Sequence, residues 1–240
     1  MAQSVGNAKN ILVGASPLFL SNIDINDSDY QANAEAGVKF PASASGSSIR
    51  VPAFSSGESY TTTLNAIDQT AGTFGYRNVG FTNNGLQITY NPTYDSVTVD
   101  QLLDTAKLFK SAMEVMIATE MSEGTLENIA TVFGQASSTL SDNGLTGASN
   151  VKTLGLEAGA LGAAPTERQL IAVGQAPTAS STTSERVYYA RRVLSVQQSQ
   201  FSLARTTPTT FPVTFRLLPD AAYAGSEYGK IIDRVLVASA

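Results

Sequence analysis

Thr209-Thr210-Phe211-Pro212-Val213-Thr214-Phe215-Arg216-Leu217-Leu218-Pro219-Asp220 is the stretch whose reading decides the fold. Phe211, Val213, Phe215 and Leu217 alternate with Pro212, Thr214, Arg216 and Leu218. A period of two places one apolar face under a sheet and turns the other away from it. The strand stops at Leu218-Pro219-Asp220, because proline removes a ladder donor. A Gly- and Ser-containing loop follows, and residues 229–237 read as a further strand. Two such strands in succession predict a mainly β protein.

Working back from there, Arg168 to Val173 reads as a strand, Pro177 to Ser184 as a turn and Val187 to Val196 as a long strand. Phe201 to Arg205 reads as the hairpin partner of that long strand. Upstream, Thr125 can cap a short helix, Glu127 complements its dipole, and Gly134 is a natural stop. Its apolar face is expected at Leu126, Ile129, Ala130 and Phe133. Residues 96–121 fit both periods. Leu, Ala, Lys, Met and Glu favour helix, yet Val97, Val99, Gln101 and Leu103, and again Met113, Val115, Ile117, Thr119 and Met121, alternate as strands do. Tyr76 to Tyr90 reads as a hairpin turning at Asn84-Gly85, since both residues accept positive φ. Asn10 to Ala15 and Leu18 to Leu20 read as short strands broken at Pro17. The regions at about 21–75 and 135–167 are rich in small polar residues and read as long loops of one domain spanning residues 1–240.

The composition removes whole classes of chemistry. The chain has no histidine and no cysteine, which rules out Ser-His-Asp and Cys-His catalysis, the usual zinc sites and disulfides. Charged residues make up only 15%, against about 25% in a typical soluble domain. So thinly charged a surface favours assembly, because it is a solubility hazard for a free monomer. The net charge of −5 argues against a grip on nucleic-acid phosphates. Neither a signal-peptide pattern nor an apolar run long enough to span a membrane is visible, so a cytoplasmic product is expected.

Four motif-like patterns fail on inspection. Asp24, Asn26, Ser28, Tyr30 and Glu35 have the ligand spacing of a calcium loop, but Asp29 stands where glycine is needed. Gly225-Ser226-Glu227-Tyr228-Gly229-Lys230 is one residue short of a phosphate loop, and Ile231 replaces its Ser or Thr. Ser149-Asn150-Val151-Lys152 matches Ser-x-x-Lys without the partner motifs. Gly155, Gly159 and Gly162 do not have dinucleotide spacing. No catalytic residue, metal ligand or cofactor is expected.

Four stretches together resemble the major tail tube proteins of long-tailed bacteriophages. They are Arg77-Asn78-Val79-Gly80-Phe81-Thr82 running to Gly85, Glu120-Met121-Ser122-Glu123-Gly124-Thr125-Leu126-Glu127-Asn128, and the FPVTFRLLPD and YGKIIDR stretches. The resemblance covers residues 9–20, 76–134 and 168–236. It implies that residues 96–121 form two long strands of an inner hairpin leading into the helix. It also implies a β-sandwich, barrel-like fold with one flanking helix, assembling as hexameric rings that stack into a tube. Such a tube conducts the genome and is built in the host cytoplasm as part of the virion. Its partners would be copies of itself, a tape measure protein, and tail-tip and tail-terminator proteins. DNA would pass through the lumen without specific binding. On that reading Val97, Val99, Leu103, Met113, Val115 and Ile117 face the sandwich, while Asp100, Glu114 and Glu120 face the lumen, where carboxylates repel phosphates. The inner tube of a contractile tail shares these expectations. From a different class, a monomeric β-sandwich binding module is the other reading, and its sites would present exposed Trp or Tyr.

Overall fold

The computed structural model describes residues 16–21, 76–100, 104–136, 140–141, 152–158, 161–162, 165–176, 184–196, 200–203, 205–221 and 223–235. They are mainly β. The strands are β1 (Leu18–Ser21), β2 (Tyr76–Asn78), β3 (Thr82–Thr98), β4 (Thr105–Met121), β5 (Leu140–Ser141), β6 (Thr153–Leu154), β7 (Arg168–Gln175), β8 (Ser184–Ser195), β9 (Phe211–Leu217) and β10 (Gly229–Val235). One helix, α1 (Leu126–Val132), follows β4. β5 and β6 form a two-stranded ribbon within the predicted loop at 135–167.

The main sheet is antiparallel, eight-stranded and ordered β2-β1-β7-β8-β9-β4-β3. β10 joins it beside β8 along Ser184–Ala190, while β9 pairs with β8 further on, at Val193–Ser195. The two ends of this order, β2 and β3, are joined only by Val79, Gly80 and Phe81. Laid flat, six inter-strand steps would separate them by roughly 29 Å, whereas the linker reaches only about 15 Å. The sheet must therefore coil until its edges approach each other.

The inner face of that coil is the core. Phe211, Val213, Phe215 and Leu217 are all buried, as their alternation requires, among Leu18, Leu20, Val115, Ile117, Met121, Leu170 and Val193. Each such side chain contributes about 1.5–3 kcal/mol on leaving water. The opposite face of β1, β7 and β8 is buried as well, at Phe19, Ile171 and Val187. There Tyr76 donates to the Gln169 side chain, whose Nε2 donates to Tyr189 Oη at 2.8 Å.

Helix α1 staples the seam between β2 and β3. Thr125 caps it, accepting from the Asn128 backbone N–H. The expected face is met in part: Ala130 is buried and Ile129 packs against the core, but the inward side also takes Asn128 and leaves out Phe133. Asn128, Ala130, Thr131 and Val132 are buried, whereas Phe133 is exposed. Asn128 turns inward because it finds full partnership. Its Nδ2 donates to the Val79 and Glu123 carbonyls, both at 2.9 Å, and its Oδ1 accepts from Arg77. Arg77 also donates to the Glu127 carbonyl and to Thr131 Oγ1. Burial, and then the neighbouring Arg168, lower the Arg77 pKa to about 10, with Glu127 opposing them. Across the same seam, the Glu123 carboxylate accepts from the Phe81 N–H at 3.0 Å and sits against Gly80.

Other expectations need correction. Asn84-Gly85 is not a hairpin turn. Asn83 pairs with Glu120 and Gln87 with Ala118, so both positive-φ residues sit in a bulge inside β3. The Gly85 carbonyl accepts there from Thr119 Oγ1. Residues 96–121 are extended, but β4 finds its partner in Thr82–Thr98, so Val97 and Val99 lie toward the far end of the hairpin and are exposed. Phe201–Leu203 is not a strand, since β9 and β10 take the edge of β8 that it would need. Residues 10–15, the calcium-like segment, Leu103 and Ser149 to Val151 lie outside the described residues.

Gly80 has φ +84°, and a Cβ there would lie 2.1 Å from the Glu123 carboxyl carbon. Gly225 has φ +79° with open space around it. Gly225→Ala is expected to lose about 1–2 kcal/mol from backbone strain, and Gly80→Ala roughly 1 kcal/mol more as the Phe81–Glu123 bond is displaced. Thermal unfolding of the two variants side by side checks this; equal losses would refute the crowding argument. On the β8–β10 pair, Arg186 donates to both Asp233 oxygens at 2.6 and 2.7 Å and holds that carboxyl below its ordinary range. This contribution is present above the ordinary carboxylate range and fades as pH falls through the depressed value. Arg186→Gln should therefore raise the Asp233 titration midpoint read by NMR, and an unmoved midpoint would assign the shift elsewhere.

Candidate functional site

β3 and β4 form a ladder of 17 residues each, far longer than the sheet around it. Only Met116–Met121 of β4 has a second strand neighbour, β9; beyond that, among the described residues, β3 and β4 pair with each other alone, with Val115 and Met113 still packed on the core. Directly opposed residues of an antiparallel pair share a face. Tyr90 opposes Val115 and Ile88 opposes Ile117, so both tyrosine and isoleucine lie on the core face. Pro92 opposes Met113 on that same face. A bulge at Ser111 then resets the register, pairing Tyr94 with Lys110 and Ser96 with Leu108.

The core face therefore continues past the body of the molecule. Val115 and Ile117 are buried at its base, whereas Ile88 is 44% exposed, Tyr90 64%, Tyr94 58% and Leu108 64%. An apolar strip of this kind marks an interaction surface more often than it marks chance. The even parity of Ile88, Tyr90, Pro92 and Tyr94 is the sequence signal that would have united them.

The opposite face of the hairpin is polar from Asn83 to Asn91, and further out it carries Phe109 opposite Asp95 and Val97 opposite Lys107, both exposed. Glu114, Met116, Ala118 and Glu120 alternate along β4, opposed by Asn91, Thr89, Gln87 and Asn83 of β3. Glu114 lies 3.7 Å from Arg216 of β9, a partly exposed pair worth well under 1 kcal/mol. Glu120 accepts from Asn83 Nδ2 at 3.1 Å. Six residues separate Glu114 from Glu120, roughly 20 Å along the strand. Asp100 lies apart from both, exposed in the hairpin turn. Two of the three candidate carboxylates thus share a face and the third does not. Asp95 extends the acidic series along that face, while Lys107 and Arg216 offset it.

Among the described residues, no group of three or more acidic side chains is placed to hold a metal ion, and no helix is long and apolar enough to cross a membrane. Lys152 pairs with Glu127 at 3.2 Å. Gly225–Tyr228 lies in the loop before β10, where the Gly225 N–H donates to the Glu227 side chain, and Gly229 and Lys230 begin the strand. No protein-family model matches the chain, and no curated protein matches it.

Because the strip is exposed, replacing Tyr90, Tyr94 and Leu108 together by Ser should shift stability by no more than about 0.5 kcal/mol per site. Binding of a hydrophobic dye should fall. A large drop in melting temperature would show that the strip is part of the monomer's own core.

Proposed function

We propose that this chain is a structural subunit that polymerises, and that it works as a major tail tube protein of a long-tailed bacteriophage. Six copies would close a ring, and rings would stack into the conduit for the genome. One observation carries the reading: the core face of a long hairpin runs on into solvent at Ile88, Tyr90, Tyr94 and Leu108. A β surface of that kind is an aggregation hazard unless neighbours cover it, and closing strands around a ring removes free edges. The low charge of the whole chain agrees. The polar face with Glu114 and Glu120 then lines the lumen, past which phosphates slide without sticking. Tape measure, tail-tip and tail-terminator proteins would meet the tube along its length or at its ends, in a virion assembled in the host cytoplasm.

The exposed pair Tyr90 and Tyr94 also favours a second reading, a monomeric β module that stacks a sugar ring on them. Negative-stain electron microscopy of the purified protein, fresh and concentrated, separates the two. Stacked rings or hollow tubes are expected. Small monodisperse particles that persist at high concentration, even with tail-tip complex added, would favour the module. Tubes that carry Glu114 and Glu120 on the outside would leave the assembly standing and remove the lumen assignment.

A further inference from the structure

β8 changes partner along one edge, and the change falls at a bulge. β10 covers that edge up to Ala190, and β9 takes it from Val193. On the other edge Arg168 opposes Val193 and Leu170 opposes Ala190, so Arg191 and Arg192 together face Gln169. These arginines grip the loop that carries the chain from β9 to β10. Arg192, paired with Glu167 at 2.7 and 2.9 Å, donates to the Pro219 carbonyl at 3.4 Å, and its own carbonyl accepts from the Leu218 N–H at 2.9 Å. Arg191 is 2% exposed. Its Nε donates to the Ser226 carbonyl at 2.9 Å, its Nη2 to Ser226 Oγ at 3.3 Å, and its guanidinium lies 3.7 Å over the Tyr223 ring. A buried cation needs hydrogen bonds and ring faces in place of its water, and here the loop supplies them. The Arg191 N–H also donates to the Tyr228 carbonyl at 3.1 Å.

The gripped loop reaches the hairpin where β4 loses its second strand neighbour. Tyr228 packs against the same buried cluster as Met113, which lies just past Met116, the last residue of β4 with β9 beside it. Further out, Lys110 lies on the core face opposite Tyr94. The Glu227 carboxyl is held below its ordinary range by the Gly225 N–H, then by its own backbone N–H, and also by the charge of Lys110.

We propose that this loop is a strap: gripped by Arg191 and Arg192, it meets the core face of the hairpin through Tyr228 and through Glu227 within reach of Lys110, and it sets the angle at which the hairpin leaves the body. A two-stranded ribbon alone twists freely, so its ladder does not fix that angle. Lys110 is exposed, and an exposed ion pair adds little stability. It needs only to choose among orientations of nearly equal energy. Arg191 is then a positioning residue for the hairpin. The strap is a property of the single chain and does not depend on the assembly reading.

The chain has no cysteine, so spin labels attach only where thiols are introduced. Thr98→Cys at the end of β3 and Gln175→Cys at the end of β7, both exposed, carry the labels. Pulsed electron paramagnetic resonance reads the distance between them in labelled chains diluted into unlabelled protein. One narrow distribution is expected with the strap intact. Lys110→Glu sets two carboxylates against each other and should broaden and shift it, and adding Glu227→Lys should bring it back. Arg191→Lys keeps the charge but not the fork that holds Ser226, and should broaden it as well. Where Arg191→Lys fails to fold, the charge exchange decides alone. A distribution already broad with the strap intact, unmoved by Lys110→Glu, or not restored by the exchange would overturn the proposal. A narrow, charge-sensitive distribution in a chain that forms no tubes would uphold the strap and remove the tube reading.

Discussion

The structure depends on one seam. β2 and β3 stand at opposite ends of the strand order, yet three residues join them, so the sheet has to curl until its edges meet. Edges brought close without pairing leave backbone groups to satisfy, and burial makes each unmet group costly. Asn128 meets that need with a side chain. It donates to the Val79 carbonyl on the linker and to the Glu123 carbonyl before the helix, and accepts from Arg77 on β2. Val79 in turn donates to Leu18 in β1. Two segments about 50 residues apart in sequence are thereby held as one unit, and the base of the β3–β4 hairpin is fixed in place.

Much of this was legible in the sequence wherever one physical signal acted alone. Phe211 to Leu217 has one buried face and one partner on each side, so parity decides it. Thr125 and Gly134 mark the helix because capping chemistry is local. Other segments needed partners that the sequence does not display. Two consecutive positive-φ residues serve a hairpin turn and a bulge equally well, and only the pairing of Asn83 and Gln87 with Glu120 and Ala118 shows a bulge. Likewise, a seven-residue helix is too short for its apolar stripe to dominate. Arg77 and the Val79 carbonyl outweighed Phe133 for the inward position. Val97 and Val99 have the alternation of core residues, but the ladder carries them beyond the body. The carboxylates Glu114 and Glu120 were legible as a shared face, since both have even parity on β4; Asp100 was not, because it falls in the turn where parity ends.

The hairpin is shaped before any partner arrives. Its strands are laddered along nearly their whole length, and one end is anchored by β9, the seam and α1. An element of that kind is presented already shaped, so covering its apolar face costs little in conformational entropy beyond the exposed side chains. The bulges at Asn84-Gly85 and Ser111 do not interrupt this. Each adds local twist and re-aims the face beyond it, as bulges in long ribbons do. The apolar strip therefore keeps a defined direction relative to the core that it continues. A surface fixed in this way suits a partner of fixed shape, and repeated copies of the same chain meet that condition at every step of an assembly.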